Sequence, residues 1–156
     1  MFKKFLVPVD GSDSSKLAYK KALELAKLTN AEIVLLQVAY DLEYYSRKGV
    51  LFARNYYNEK EVKEHSTSIL SDIRNSADEG DVIITELILL GDPARKIINE
   101  AKKSQYDLII MGTRGNGPLK GAVLGSVSHR VITNCNCPVM VVKNPDEDER
   151  EDESET

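Results

Sequence analysis

Five short apolar stretches, separated by longer stretches with helical spacing, constrain the fold of this chain more than any other feature. They span about residues 2–9, 31–39, 82–90, 108–111 and 138–142. Most are apolar throughout instead of alternating with polar residues, which is typical of strands buried on both faces of a parallel sheet. Because right-handed crossovers join consecutive parallel strands, the sequence predicts a doubly wound α/β domain with a five-stranded parallel sheet and helices on both faces.

Four helices are predicted between the strands. They cover about residues 14–29, about residues 58–78, a stretch beginning at Pro93, and about residues 126–133. The side chains expected to face the sheet include Ala18, Ala22, Leu25 and Thr29 in the first helix, flanked by Leu17 and Leu28, and Val127, Val131 and Ile132 in the last helix.

A glycine-rich segment, residues 112–125, directly follows the fourth apolar stretch and precedes the last helix. It contains five of the nine glycines of the chain. Glycine lets a main chain approach a ligand closely, and the amide groups of such a loop and of a helix start bind anions. Ser126 and Ser128 add hydroxyl groups, and Arg114 adds a positive charge. The segment is therefore predicted to bind phosphate.

The apolar pattern alone leaves the strand order open between 3-2-1-4-5 and 2-1-3-4-5. Ligands of such sheets bind outside the carboxyl ends of the strands where the winding reverses, which in the order 3-2-1-4-5 lies between strands 1 and 4. These two strands are followed by Asp10-Gly11-Ser12 and Met111-Gly112-Thr113, both rich in groups that can bind a ligand. This convergence favours the order 3-2-1-4-5, and it places Asp10 where it can accept hydrogen bonds from ribose hydroxyls or lie near a metal ion.

The spacing Gly112-x2-Gly115-x9-Gly125-Ser126 resembles the nucleotide-binding signature of the universal stress protein family, in its ATP-binding subgroup. The resemblance covers nearly the whole chain, from Val7-Pro8-Val9-Asp10 through Gly91-Asp92-Pro93-Ala94 to Cys137-Pro138-Val139. It implies a single-domain universal stress protein with an adenine nucleotide alpha hydrolase-like fold. The function implied is that of an ATP-binding regulatory protein of the stress response.

The resemblance also implies which residues bind the nucleotide. Adenine and ribose would lie against Pro8, Val9, Asp10 and Val38. The phosphates would contact Gly112, Arg114, Gly115, Gly125, Ser126 and Val127, with Met111 and Ser128 as further contacts. A Mg²⁺ or Mn²⁺ ion would bridge phosphate oxygens, with Asp10 as its candidate protein ligand. The last strand, with Val139, Met140, Val141 and Val142, would form the interface of a homodimer.

The predicted phosphate loop has no evident catalytic base. Residues 108–128 contain no Glu, Gln or His that could orient a water molecule. We therefore predict a switch in which ATP shifts a conformational or assembly equilibrium. Asp10 or Asp13 could approach from the first loop, which leaves slow ATP hydrolysis open. The remaining alternatives are an adenylyl-transferring enzyme of the same superfamily and a dimeric interaction scaffold that binds no nucleotide.

Two other classes of doubly wound protein fit the sequence less well. An ATP pyrophosphatase would carry Ser-Gly-Gly-x-Asp-Ser after strand 1, whereas residues 10–15 read Asp-Gly-Ser-Asp-Ser-Ser. A phosphorelay receiver would need an Asp after strand 3 and a Lys after strand 5, and Asp92 and Lys143 stand at those places. Asp92 is better explained as the cap of a helix that begins with Pro93, and a receiver has no use for the glycine-rich segment.

Two segments lie outside the signature. Residues 40–58 hold five of the seven tyrosines, and we interpret them as an ordered insertion that covers the sheet edge, with a lid as the alternative. Residues 146–156 hold 8 of the 25 acidic and 1 of the 21 basic residues. Residues 1–145 are therefore the predicted domain, with 20 basic against 17 acidic residues and a net charge of +3, followed by an acidic, disordered tail.

Membrane and nucleic-acid partners are not expected. The chain has no apolar run long enough to span a bilayer and no signal segment at its start, so we expect a soluble, cytoplasmic protein. It also lacks a basic surface studded with aromatic residues. Cys135 and Cys137 have no further ligands at metal-binding spacing, and we interpret them as part of a helix-to-strand connection, with redox chemistry as the alternative.

Overall fold

The computed structural model describes residues 1–49, 57–113 and 124–145, which form a five-stranded parallel sheet surrounded by helices. The strands are Lys4–Pro8 (β1), Glu32–Ala39 (β2), Ile84–Leu90 (β3), Leu108–Gly112 (β4) and Val139–Val142 (β5). The helices are Asp13–Thr29 (α1), Leu42–Arg47 (α2), Glu59–Asn75 (α3), Pro93–Lys103 (α4) and Ser126–Asn134 (α5). Arg114, Gly115 and the predicted acidic tail, residues 146–156, lie outside the described residues.

The strand order is β3-β2-β1-β4-β5, which confirms the predicted order 3-2-1-4-5. In the register of the sheet, Leu6 of β1 lies beside Val34 of β2 and Ile109 of β4. The chain moves outward from β1 to β3 on one side, and from β4 to β5 on the other. The winding therefore reverses between β1 and β4, which is where the carboxyl ends of two adjacent strands leave a crevice.

Alternate residues of the strands supply two separate cores, one on each face of the sheet. Phe5 and Val7 of β1 pack with Tyr19 of α1 and Leu70 of α3. On the opposite face, Leu6 packs with side chains of α4 and α5. The predicted burial on both faces is confirmed for β1, β2 and β4, which are almost continuously apolar. The edge strands β3 and β5 are only partly covered.

Helical spacing predicted the burial of some side chains incorrectly. Ile132 was expected to face inward but is 42% exposed, and Leu28 is 82% exposed. Tyr19 is instead fully buried, because its ring fills the core while its hydroxyl group donates a hydrogen bond to Glu79 at 2.6 Å. A polar tip that finds a buried partner lets an aromatic residue enter a core position, and helical spacing cannot reveal that partner.

The tyrosine-rich insertion contains a helix that the sequence analysis did not predict. The helix α2 begins after Asp41, whose carboxylate accepts a hydrogen bond from the amide of Tyr44 at 2.8 Å. An ion pair between Glu43 and Arg47 links its two ends. Residues 42–47 of the predicted insertion are thus helical, whereas residues 50–56 lie outside the described part of the chain.

Candidate functional site

The Asp10 loop forms one wall of the crevice between β1 and β4. The side chain of Asp10 accepts a hydrogen bond from the amide of Ser12 at 3.0 Å, which turns the chain directly after the strand. Ser12 in turn caps α1, because its hydroxyl oxygen accepts from the amide of Ser15 at 3.2 Å. Gly11 has φ +84°, a conformation that side chains disfavour. The loop is thus a rigid turn that holds the Asp10 carboxylate at the carboxyl end of β1.

Gly112 ends β4 against the start of α1 and forms the opposite wall. A Cβ atom at this position would lie 2.7 Å from the Cβ of Ser14 and 2.9 Å from its carbonyl carbon. Since the neighbour includes main-chain atoms, a side chain at residue 112 would push β4 and α1 apart. Gly112 therefore has a structural reason to be glycine besides its predicted contact with phosphate.

The glycine-rich segment has its two described ends next to each other. Its ends are joined by a hydrogen bond of 2.6 Å from the Gly125 amide to the Thr113 carbonyl group. The hydroxyl group of Ser128 donates to the Gly112 carbonyl oxygen at 2.8 Å, and this side chain is only 3% exposed. Ser128 thus ties the first turn of α5 to the end of β4, an arrangement in which its hydroxyl group is already engaged.

The first turn of α5 differs from the other described helix starts. Its N-cap is Gly125, which has no side chain, and within the described residues no side chain caps this helix. The amides in its first turn have no acceptor within the helix and form the positive end of its dipole. Each of the other four described helices has a side-chain cap: Ser12, Asp41, Asn58 and Asp92. The exposed helix start lies directly after the segment predicted to bind phosphate.

The apolar residues predicted to hold the nucleotide lie mainly on one face of the sheet. Val38, Met111 and Val127 all belong to the core beneath α4 and α5, and strand alternation places Pro8 on the same side as Leu6. Val9, in contrast, packs its side chain into the core beneath α1 and α3. Only the main chain of Val9 is therefore available at the crevice.

Asp92 links the start of α4 to the middle of α5, a role that was predicted only in part. Its carboxylate accepts from the Arg95 amide at 2.9 Å, as predicted for a cap, and also from the Arg130 guanidinium at 3.0 and 3.2 Å. Partial burial alone would raise the pKa of Asp92, but these hydrogen bonds hold it below its ordinary value. Asp92 and Arg130 are 38 residues apart, and no local pattern in the sequence connects them.

A cluster of tyrosines stands at the carboxyl end of β2, beside the Asp10 loop. The rings of Tyr40 and Tyr44 are stacked, with centroids 4.1 Å apart. Burial, Tyr44 and the charge of Asp10 together raise the pKa of Tyr40 to about 12. The tyrosine content of residues 40–58 is evident in the sequence, but it was interpreted as a cover for the sheet edge.

The described residues offer no metal site made of protein ligands alone. Within them, no group of three or more His, Cys, Asp or Glu side chains comes together. Cys135 and Cys137 are both free thiols whose pKa values are raised by burial, which disfavours the reactive thiolate. No helix in ranges 1–49, 57–113 and 124–145 has both the length and the apolar character needed to cross a membrane.

Comparisons with known proteins agree with this architecture. The chain is 36% identical over 148 residues to Universal stress protein YxiE of Bacillus subtilis, covering 92% of this chain and all of that protein. The solved structure of MJ0577, a universal stress protein of Methanocaldococcus jannaschii, is 32% identical, with a TM-score of 0.71 and coverage of 92% and 97% of the two chains.

A universal stress protein solved in complex with cAMP has the same fold, with a TM-score of 0.68, 24% identity and coverage of 90% and 97%. The sequence model of the Universal stress protein family matches residues 1–143, which include every described strand and helix. The chain therefore belongs to the universal stress protein family.

Proposed function

We propose that this protein binds an adenine nucleotide, as ATP with Mg²⁺ or Mn²⁺, and that the nucleotide shifts a conformational or assembly equilibrium. The observation that carries the proposal is the uncapped start of α5 at the point where the sheet reverses its winding. A related fold has been solved with cAMP bound, which supports an adenine nucleotide as the ligand.

The phosphates would lie against the first turn of α5. The amide of Gly125 already donates to Thr113, so the amides of Ser126, Val127 and Ser128 are the remaining main-chain donors of that turn. Such a helix start favours negative charge because of both its amides and its dipole. Arg114 and Gly115, at the other end of the loop, would add a positive charge and a closely approaching main chain.

The nucleoside would lie over the carboxyl ends of β1, β2 and β4. Pro8, Val38 and Met111 all lie on the face beneath α4 and α5, where Val38 is partly buried and Met111 is only 5% exposed. The carboxylate of Asp10 is held at the edge of this face by its turn, where it would accept hydrogen bonds from ribose hydroxyls. Val9 would contribute only main-chain atoms.

A divalent ion would enter with the phosphates. Asp10 is the only carboxylate that we assign to it, and Mg²⁺ in nucleotide sites commonly uses one or two carboxylates together with phosphate oxygens and water. The residues present therefore fit an ion carried by the nucleotide better than one held by the empty protein. Bound there, the ion would neutralise phosphate charge.

The assembly controlled by the nucleotide would be a homodimer formed through β5. Val139, Met140, Val141 and Val142 form an edge strand, which pairs with β4 in the described sheet. Met140 is 37% exposed there, and an apolar edge strand is a ready surface for pairing with a second copy. Because β5 adjoins β4, a change at the phosphate loop would lie one strand away from this interface.

The substitution Gly125→Asp tests the phosphate site without weakening the fold. An Asp at the N-cap would accept hydrogen bonds from the first-turn amides and place a negative charge where phosphate is proposed to bind. We expect the affinity for ATP with Mg²⁺ to fall by about tenfold or more, equivalent to about 1.4 kcal/mol. The unfolding temperature should stay equal or rise. Both are measured on nucleotide-stripped protein, by isothermal titration and thermal unfolding.

Gly125→Ala is the matched control, because φ of −67° at this residue is open to any side chain and alanine adds neither charge nor cap. It should retain most of the affinity of the unsubstituted protein. Absence of ATP binding in the unsubstituted protein would refute nucleotide binding. Equal affinity in the Asp variant would place the phosphates away from α5.

A further inference from the structure

Four tyrosine rings form a connected cluster at the carboxyl end of β2. Tyr40 stacks on Tyr44 with an interplanar angle of 16°, and its edge meets Tyr45 at a centroid distance of 5.8 Å. Tyr45 also contacts Tyr57, 6.3 Å away, which precedes α3. The cluster therefore joins the insertion to the end of the sheet. It is not needed to fill either core, because none of its four side chains is fully buried.

Tyr40 is the member of this cluster that borders the nucleotide crevice. It is the first residue after β2 and follows Val38 by two, so alternation continued beyond the strand would place its side chain on the face beneath α4 and α5, where Val38 lies. Leu36 of β2 pairs with Pro8, the last residue of β1, so Asp10 and Val38 each follow this pair by two residues. The charge of Asp10 acts on the Tyr40 hydroxyl group, which agrees with this proximity.

The described residues cover the Tyr40 ring only in part. Tyr44 covers one face, and Tyr44 is itself contacted by the ammonium group of Lys48, 5.6 Å from its centroid. Tyr40 keeps 39% of its surface exposed. The stack thus begins with the ammonium group of Lys48 and ends in Tyr40, a partly exposed ring that follows β2.

The backing of Tyr40 is held in place by local hydrogen bonds. Asp41 caps α2 through the amide of Tyr44, and the Tyr45 amide donates to the Asp41 carbonyl oxygen at 3.3 Å. The hydroxyl group of Ser46 donates to the Leu42 carbonyl oxygen at 2.9 Å. A ring supported in this way loses little conformational freedom when a ligand stacks on it, which favours binding.

We propose that Tyr40, supported by Tyr44, is the surface on which the base of the bound nucleotide stacks. The inference rests on the proposed nucleotide site and adds to it a residue that determines affinity for the base. Aromatic rings stack with bases through their π faces, and the loss of one such contact commonly weakens binding about tenfold. The phosphates and ribose would be held by the separate groups described above.

The test compares AMP with ribose 5-phosphate, which differ only in the presence of the base. We expect Tyr40→Leu to lower the affinity for AMP about tenfold and to leave the affinity for ribose 5-phosphate unchanged. Tyr40→Phe keeps the ring and should retain the affinity for AMP. Tyr106→Leu, which removes a tyrosine that contacts Glu100 and Lys4 before β4, should change neither affinity.

A second measurement is made first on the unsubstituted protein, so its main result does not depend on the folding of a variant. In the unsubstituted protein, nuclear Overhauser contacts are expected between tyrosine ring protons and the H2 and H8 protons of bound AMP, and Tyr40→Phe should shift them to phenylalanine resonances. The inference would be overturned if Tyr40→Leu lowered the affinity for AMP and for ribose 5-phosphate equally, or left the affinity for AMP unchanged. Absence of these contacts would also overturn it. In each case the nucleotide site itself would stand. Failure of the unsubstituted protein to bind any adenine nucleotide would instead refute the proposed function itself.

Discussion

At the scale of single residues, the partly buried carboxylate of Glu79 links several elements. It accepts hydrogen bonds from Nε and Nη2 of Arg74 at 2.7 and 2.8 Å, and from the Tyr19 hydroxyl group at 2.6 Å. Arg74 belongs to α3 and Tyr19 to α1, and Arg74 also contacts Glu86 of β3 at 3.3 Å. The hydrogen bond from Arg74, more than any other contact, lowers the pKa of Glu79 below its ordinary value of 4.5.

This lowered pKa predicts a pH-dependent contribution to stability. Because the folded state holds the Glu79 proton more weakly than the unfolded state, the stabilisation is present above the ordinary carboxyl pKa and is lost as the pH falls through the lowered folded value. Glu79→Gln is expected to reduce the free energy of unfolding by about 2 kcal/mol at pH 7. The difference from the unsubstituted protein should shrink in acid, as measured by urea unfolding at pH 7 and below pH 4.5.

Glu24→Gln is the control for loss of a surface charge. Glu24 pairs with Lys21 at 3.0 Å, but its side chain is 62% exposed, and such pairs contribute only about 0–1 kcal/mol. This variant should unfold nearly as the unsubstituted protein does at both pH values. A loss for Glu79→Gln that stayed constant with pH would contradict the role assigned to the Glu79 charge.

At the scale of secondary-structure elements, the contact between β4 and α1 determines how narrow the crevice is. Gly112→Ala would place a Cβ atom 2.7 Å from the Ser14 side chain and 2.9 Å from its main chain. Overpacking of this kind typically destabilises by about 1–3 kcal/mol. We expect a corresponding drop in the free energy of unfolding, measured with urea, together with weaker ATP binding because the two walls of the site are displaced.

Gly125→Ala again serves as the comparison, since Gly125 has an ordinary extended conformation. Alanine is a poorer N-cap residue than glycine, so the free energy of unfolding of this variant should fall only slightly, by less than about 1 kcal/mol. Equal stability of the Gly112 and Gly125 variants would contradict the close β4–α1 contact.

At the scale of the whole molecule, the proposed homodimer uses only one of the two edges of the sheet, the edge formed by β5. Met140→Lys would place a charge on β5, a substitution that blocks pairing between edge strands. We expect sedimentation velocity to show a shift from dimer to monomer. Thr85→Lys on β3, an exposed residue of the opposite edge, is the matched control and should leave the dimer intact. A dimer that survived Met140→Lys but not Thr85→Lys would assign the interface to β3.

Much of this fold was predictable from local patterns. Continuous apolar stretches identified all five strands, and Asp92 before Pro93 identified the start of α4, because burial and capping act over a few residues. The order 3-2-1-4-5 was favoured only after the two ligand-rich loops were assigned to one crevice. The spacing of Gly112 and Gly125 marked the two residues that flank the loop, although the reason for glycine at residue 112 was not visible.

The remaining features depend on residues that are distant in the sequence. Tyr19 can be buried because its hydroxyl group has Glu79 as a partner. The helix α5 is held in place by contacts with Gly112 and Asp92. Tyr40 lies near the crevice only because β1 and β2 are adjacent. The sequence alone determined a doubly wound parallel sheet with a glycine-rich segment after its fourth strand, since these follow from local burial and backbone freedom. Only the tertiary structure decided which side chains meet at the crevice and which glycine is held by packing, because those contacts exist only once the strands are paired.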